Sequence, residues 1–92
     1  MEKLKIKPKN QKEQVLYYLY YWDQFNMLHV LHDSMFLKFQ TRLSELESKH
    51  GQLATREKVP FKNRFGHSGY YYTYKAIDKN KIREIYEAKN QL

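Results

Sequence analysis

The stretch that decides the fold is "KFQTRLSEL", residues 38–46. Phe39, Leu43 and Leu46 recur at the spacing of one helical face. At about 100° per residue they fall within about 60° of one another. Lys38, Thr41, Arg42, Glu45, Ser48 and Lys49 fall on the opposite arc. A helix is predicted over residues 36–50, with Phe36 extending the apolar face. Gly51 ends it, where a left-handed backbone carries no Cβ penalty. Any surface helix has a charged outer side, so the flanking segments decide what this one faces.

Upstream, "QKEQVLYYLYYW" contains no Gly or Pro and predicts a helix of about three turns. Val15, Leu19 and Trp22 form one stripe, and Leu16, Tyr17, Tyr18, Tyr20 and Tyr21 cover much of the remaining circumference. A helix apolar nearly all round needs packing partners on more than one side. "NMLHVLHDS" predicts a short second helix, with Asn26 as N-cap. Asp33 and Ser34 are available to cap the third.

Downstream the period changes to two. Leu53, Thr55, Glu57 and Val59 alternate, and so do Tyr70, Tyr72, Tyr74 and Ala76, around the turn-forming "NRFGHSG". This pattern predicts a β-hairpin. Pro60 has no N–H for a ladder and belongs on an open edge or at a bulge. "DKNKIREIYEAKNQL" predicts a closing helix over residues 78–92, capped by Asp78. Its narrow stripe of Ile82, Ile85 and Tyr86 either covers the first helix or meets a second copy of the chain. Residues 1–10 read as a flexible basic arm, in which alternating Leu4 and Ile6 can form a short strand.

The 92 residues allow one small domain. Cysteine is absent, so no disulfide or thiolate zinc site staples the fold. No apolar run approaches the roughly 20 residues that span a bilayer, and Met1 to Lys12 lacks an apolar signal-peptide core. A soluble cytoplasmic protein without membrane contact is expected. The net charge is +7 and unevenly spread. Residues 1–12 carry +4, residues 13–37 carry −3 and residues 38–75 carry +5. A localised basic surface on a small domain is the footprint of a polyanion binder.

Three helices followed by a hairpin is the layout of a winged helix. "QVLYYL", "FQTRLSEL" and "NRFGHSGYYYTYKA" together resemble the winged helix-turn-helix domains encoded by phages and other bacterial mobile elements. These domains pair a T-R-[IL]-S-E-L third helix with a wing of the form R-x-G…Y-x-x-Y. The resemblance covers roughly residues 11–77. It implies an α+β winged helix with a three-helix core and a two-stranded wing, extended here by the helix over 78–92. It also implies double-stranded DNA binding in transcription regulation, replication or excision, near the bacterial nucleoid. Two features depart from the pattern. "HDSMF" replaces a small turn that often contains Gly, and Leu37 stands where a Thr or Ser cap is common.

The expected DNA contacts are Lys38, Thr41, Arg42, Glu45 and Lys49 from the third helix, and Lys58, Lys62, Asn63, Arg64 and His67 from the wing. Arg and Lys suit guanine O6 and N7, Glu accepts from cytosine N4, and Thr serves either. Leu37 projects to the same side and suits a thymine methyl. Arg42 has a second option, a carboxylate such as Asp33 or Glu45.

Other chemistry has less support. His29, His32 and Asp33 share one helical turn, but two histidines at i, i+3 without a third ligand at a diagnostic spacing make a poor zinc signature. Ser68 beside His67 is a turn pair, Glu45 and Glu47 point to different sides of one helix, and Gly66 and Gly69 are turn glycines. No enzyme, metal or cofactor is expected. The tyrosines suit either base stacking on single strands or closure of the core by Tyr72 and Tyr74 over the third helix. A domain this small needs most of its aromatics for its core, which favours closure. A competing function is a protein-interaction module on the same scaffold. Its working surface would be Tyr17, Tyr20, Tyr21 and the C-terminal stripe, which are also the expected route to a homodimer.

Overall fold

The computed structural model describes residue 4 and residues 7–90. In order these form α1 (Gln11–Tyr21), β1 (Phe25–Asn26), α2 (Met27–Ser34), α3 (Phe39–His50), β2 (Ala54–Lys62), β3 (Ser68–Ala76) and α4 (Lys79–Asn90). The architecture is α+β. Among the described residues, four helices accompany a three-stranded antiparallel sheet ordered β1-β3-β2. This arrangement is compatible with a winged-helix layout.

Short polar side chains set the starts of α1, α2 and α4. Asn10 Oδ1 accepts the Glu13 amide at 2.9 Å, and Asn10 Nδ2 donates to the buried Glu13 carboxylate at 2.7 Å. At α2, Asn26 Oδ1 accepts the His29 amide at 3.2 Å, and the Asn26 amide donates to His29 Nδ1 at 3.1 Å. Two orphan donors are thus satisfied reciprocally. His29 therefore has a structural task. Asp78 Oδ1 accepts the Asn80 and Lys81 amides at the start of α4.

The turn between α2 and α3 departs from the predicted one. Met35 takes a left-handed backbone, φ 55, and its amide donates to Leu31 O at 3.0 Å. It does what a glycine would do there, with a Cβ in the way. The sharp turn removes Phe36 and Leu37 from α3, which starts at Phe39 rather than at 36. Phe36 is still buried, so it anchors the turn instead of lengthening the helix. Gly51, at φ 83, ends α3.

Phe39 sits at the centre of the core. Its ring centroid lies 5.4 Å from Tyr74, 5.5 Å from Phe25, 6.0 Å from Phe36 and 6.4 Å from Tyr18. α1 is buried from two sides, by α3 and by α4. Ile82 and Tyr86 are fully buried and Ile85 partly so. The C-terminal stripe thus covers α1 within one chain, the first of the two options. Tyr20 is also buried, which corrects its expected place on an exposed working surface. Tyr17 and Tyr21 are half-buried. The Tyr21 hydroxyl accepts the Leu4 amide at 2.8 Å. The rest of the expected strand, with Ile6, lies outside the described residues, as do residues 1–3.

The Tyr18 hydroxyl ties α1 to the end of α2. It donates to Asp33 Oδ2 at 2.6 Å and lies 2.7 Å from Ser34 Oγ. Burial first, then the Asp33 carboxylate, push its pKa up to about 12.

The hairpin was expected to stand as two strands, and β1 adds a third to it. Phe25 pairs with Tyr74 and Asn26 with Thr73. β1 forms because Phe25 is drawn into the aromatic core, which lays two residues of backbone along β3. β2 and β3 pair from Ala54↔Ala76 to Lys62↔Ser68. β2 is an edge strand, and Pro60 lies on it. Tyr74 is buried, but Tyr72 is 39% exposed, so only one of the two tyrosines closes the core. By Tyr72 the strand has run past Phe25 and Phe39, and its ring is left partly open beside Tyr70. The described chain measures 50 × 25 × 23 Å, long in one direction because the hairpin projects. No helix among the described residues is long and apolar enough to cross a membrane.

Two substitutions test this account by urea unfolding. Phe39→Ala should cost about 3–5 kcal/mol, while Leu28→Ala, at a side chain 67% exposed, should stay within about 0.5 kcal/mol. Met35→Gly should raise stability by about 1 kcal/mol by relieving the left-handed Cβ clash. A loss there would show that Met35 is unstrained.

Candidate nucleic-acid interface

With Phe39, Leu43 and Leu46 turned inward, helical geometry turns Thr41, Ser44 and Ser48 outward. Lys38, Thr41 and Lys49 are exposed. Lys38 is the residue before α3 and makes no side-chain cap.

Arg42 is half-buried on the flank toward α1. Its Nη1 donates to both Glu45 oxygens at 2.7 Å, and its Nε donates to Gln11 Oε1 at 2.9 Å. Of the partners weighed for Arg42, the structure supplies the Glu45 carboxylate. Asp33 is engaged by Tyr18 instead. The Arg42 hydrogen bond holds the Glu45 carboxyl below its usual range, and Lys12 and Lys38 act in the same direction. Lys12 thus shows that the first turn of α1 lies beside α3.

The other flank of α3 holds the wing. Arg56 on β2 donates to Glu47 Oε1 at 2.6 Å and to Oε2 at 3.4 Å. Glu47 Oε2 also accepts the Leu53 and Ala54 amides, at 2.9 and 3.3 Å. One carboxylate therefore closes the connection between α3 and β2. Gln40 Nε2 donates to the Tyr74 hydroxyl at 2.6 Å. Arg56 belongs to the basic segment 38–75, but this ion pair neutralises it. Sequence spacing does not reveal the joint, since Glu47 and Arg56 lie on different elements.

Strand alternation and register then sort the rest of the hairpin. Ala54 and Tyr74 are buried under the helices. The same sheet face carries Lys58, Lys62, Tyr70 and Tyr72 farther out. Thr73 and Glu57 are on the reverse face, where Gln24 donates to both. Lys58 Nζ sits 3.8 Å from the centroid of the Tyr70 ring. At the tip, Asn63 Oδ1 accepts the Phe65 and His67 amides at 2.9 and 3.0 Å. The Asn63 carbonyl accepts from Gly66, at φ 82. The oxygen of Asn63 is spent on shaping the loop, which leaves Arg64 and His67 outside it and exposed. The Arg64 guanidinium lies 4.6 Å from the Phe65 ring.

The sequence-predicted residues thus form two groups. Lys38, Thr41, Lys49, Lys58, Lys62, Arg64 and His67 are exposed, whereas Arg42, Glu45 and Asn63 are engaged within the chain. Ion pairs among the described residues join Arg42, Arg56 and Lys79 to carboxylates, and none includes Lys38, Lys49, Lys58, Lys62 or Arg64. No three His, Asp or Glu side chains among the described residues gather as a metal site. No family model, curated protein or solved structure matches the chain.

The joint at Glu47 predicts an acid response. Burial pushes this carboxyl up, but the Arg56 hydrogen bond and the two amides outweigh it, so its pKa falls below the ordinary 4.5. The stabilisation is therefore complete above 4.5 and is lost as pH falls through the lower folded value. Glu47→Gln should cost about 1–3 kcal/mol at neutral pH. It should also flatten the fall in urea midpoint on acidification. An unchanged acid profile would dismiss Glu47 as the hinge pin.

Proposed function

We propose that this protein is a double-stranded DNA-binding winged helix, a small regulatory or accessory factor of a phage or bacterial mobile element. Its role lies in transcription, replication or excision. α3 enters the major groove, where Thr41 faces base edges and Lys38 and Lys49 meet the phosphates on either side. The wing follows the adjacent backbone with Lys58, Lys62, Arg64 and His67. The lysine-rich N-terminal segment adds sequence-independent affinity.

One observation carries this reading. Five cations on α3 and the wing are exposed and in no ion pair among the described residues, although the same region contains carboxylates. Glu45 and Glu47 are committed to Arg42 and Arg56, and Glu57 lies on the reverse face of the sheet, where Gln24 donates to it. Exposed cations without carboxylate partners leave an uncompensated positive field, which a polyanion relieves. The layout α1-β1-α2-α3-β2-β3 adds support, because it puts the hairpin beside the third helix.

Arg42 plays a conditional part. To reach a phosphate or guanine it must leave Glu45, and Glu45 then needs a donor of its own. A cytosine N4 is such a donor.

Anisotropy titration of a labelled duplex tests the proposal. With about six phosphates contacted, log K against log salt should slope near −5. Arg64→Ala should flatten that slope by about one and weaken all sequences alike. A flat salt response would refute DNA binding outright.

A further inference from the structure

Among the described residues, β1 pairs with Thr73 and Tyr74 alone. Beyond them, Tyr70 to Tyr72 have β2 on one side and no strand on the other among the described residues. A groove of ≈ 660 Å³ follows this free edge, between the wing and the first turns of α2 and α3. Met27, Leu28 and Gln40 form one wall, and Phe61 and Tyr70 to Tyr72 form the other. Tyr70, Tyr71 and Tyr72 are 53%, 40% and 39% exposed. The Phe61 ring lies over Gly69, where a Cβ would approach to 3.0 Å, and its centroid is 6.1 Å from that of Tyr71.

Four adjacent exposed aromatics are unusual in a domain that needs its apolar groups for a core. The chemistry around them is one-sided. No carboxylate lines the groove. Lys58 stands over Tyr70, and Lys62 follows on the same sheet face. Aromatic faces next to unpaired cations and a free backbone edge match the parts of a nucleotide, with stacking surface for the base and charge for its phosphate.

We infer that this groove takes an unpaired nucleotide of the bound DNA, its base stacked on Tyr70 or Tyr72 and its phosphate held by Lys58. The protein then favours duplexes with an unpaired segment, such as a frayed end or a melted junction, over fully paired ones. This inference rests on the DNA-binding reading.

The test compares a blunt duplex with the same duplex carrying a short unpaired tail, using the full chain. The tailed DNA should bind about tenfold more tightly. A double variant, Tyr70→Leu with Tyr72→Leu, should lose that gain and bind tailed DNA as wild type binds blunt DNA. Both side chains are exposed, and circular dichroism confirms that the variant folds. 2-Aminopurine in the tail should be quenched by the wild-type protein and not by the variant. Equal wild-type affinity for both DNAs, with the salt dependence intact, would overturn the inference and leave duplex binding standing. An extended peptide, the other usual occupant of a free strand edge, would then be the partner to seek. Failure to bind either DNA would overturn both readings.

Discussion

The seating of α3 is referred to one ring, that of Phe39. As the first residue of α3 it meets α1 through Tyr18, β1 through Phe25, the preceding turn through Phe36 and β3 through Tyr74. Close-packed interiors transmit such constraints because they hold few voids into which a side chain can retreat. With Phe39 seated, Leu43 and Leu46 follow it inward, and the polar arc of α3 has nowhere to go but out. β1 depends on the same ring, since Phe25 is the reason its two residues lie against β3.

A second constraint sets the wing against the helix. Glu47 accepts from Arg56 and from two backbone amides, and Gln40 donates to Tyr74 from the same side of α3. The base of the hairpin is therefore held at a defined angle to α3. Its far end, residues 61–68, is exposed throughout and stands on its own loop hydrogen bonds. A fixed base with a free-standing tip lets a surface follow a curved partner without disturbing the core.

The readable parts of this fold are those governed by local periodicity. The inward face of α3, the Asn26 cap, the hairpin and the edge position of Pro60 all follow from residues close together in sequence. β1 does not, because two residues cannot show alternation and their partners lie almost fifty positions away. The lone Phe25 beside a capping Asn was the available hint. Phe36 continued the helical spacing of α3, but the left-handed backbone at Met35 broke the helix between them. Alternation assigned Tyr72 to the face of Tyr74 and was silent on how far along the strand the core extends. Segment charge located the basic region, yet it did not reveal that Arg42 and Arg56 are neutralised by Glu45 and Glu47. That depends on which side chains converge in space.

Among the described residues, the outer edge of β2 runs nine residues without a strand beside it. Such an edge invites a second copy to add its own strand, and Pro60, Lys58 and Lys62 are the kinds of residue that discourage this. The guard is partly electrostatic, so it holds only while the lysines keep their charge uncompensated. If a polyanion compensates that charge, the mutual repulsion between copies fades, and the missing N–H of Pro60 becomes the remaining barrier to sheet-to-sheet joining. Crowding along such a template would thus bring this chain closest to forming continuous arrays.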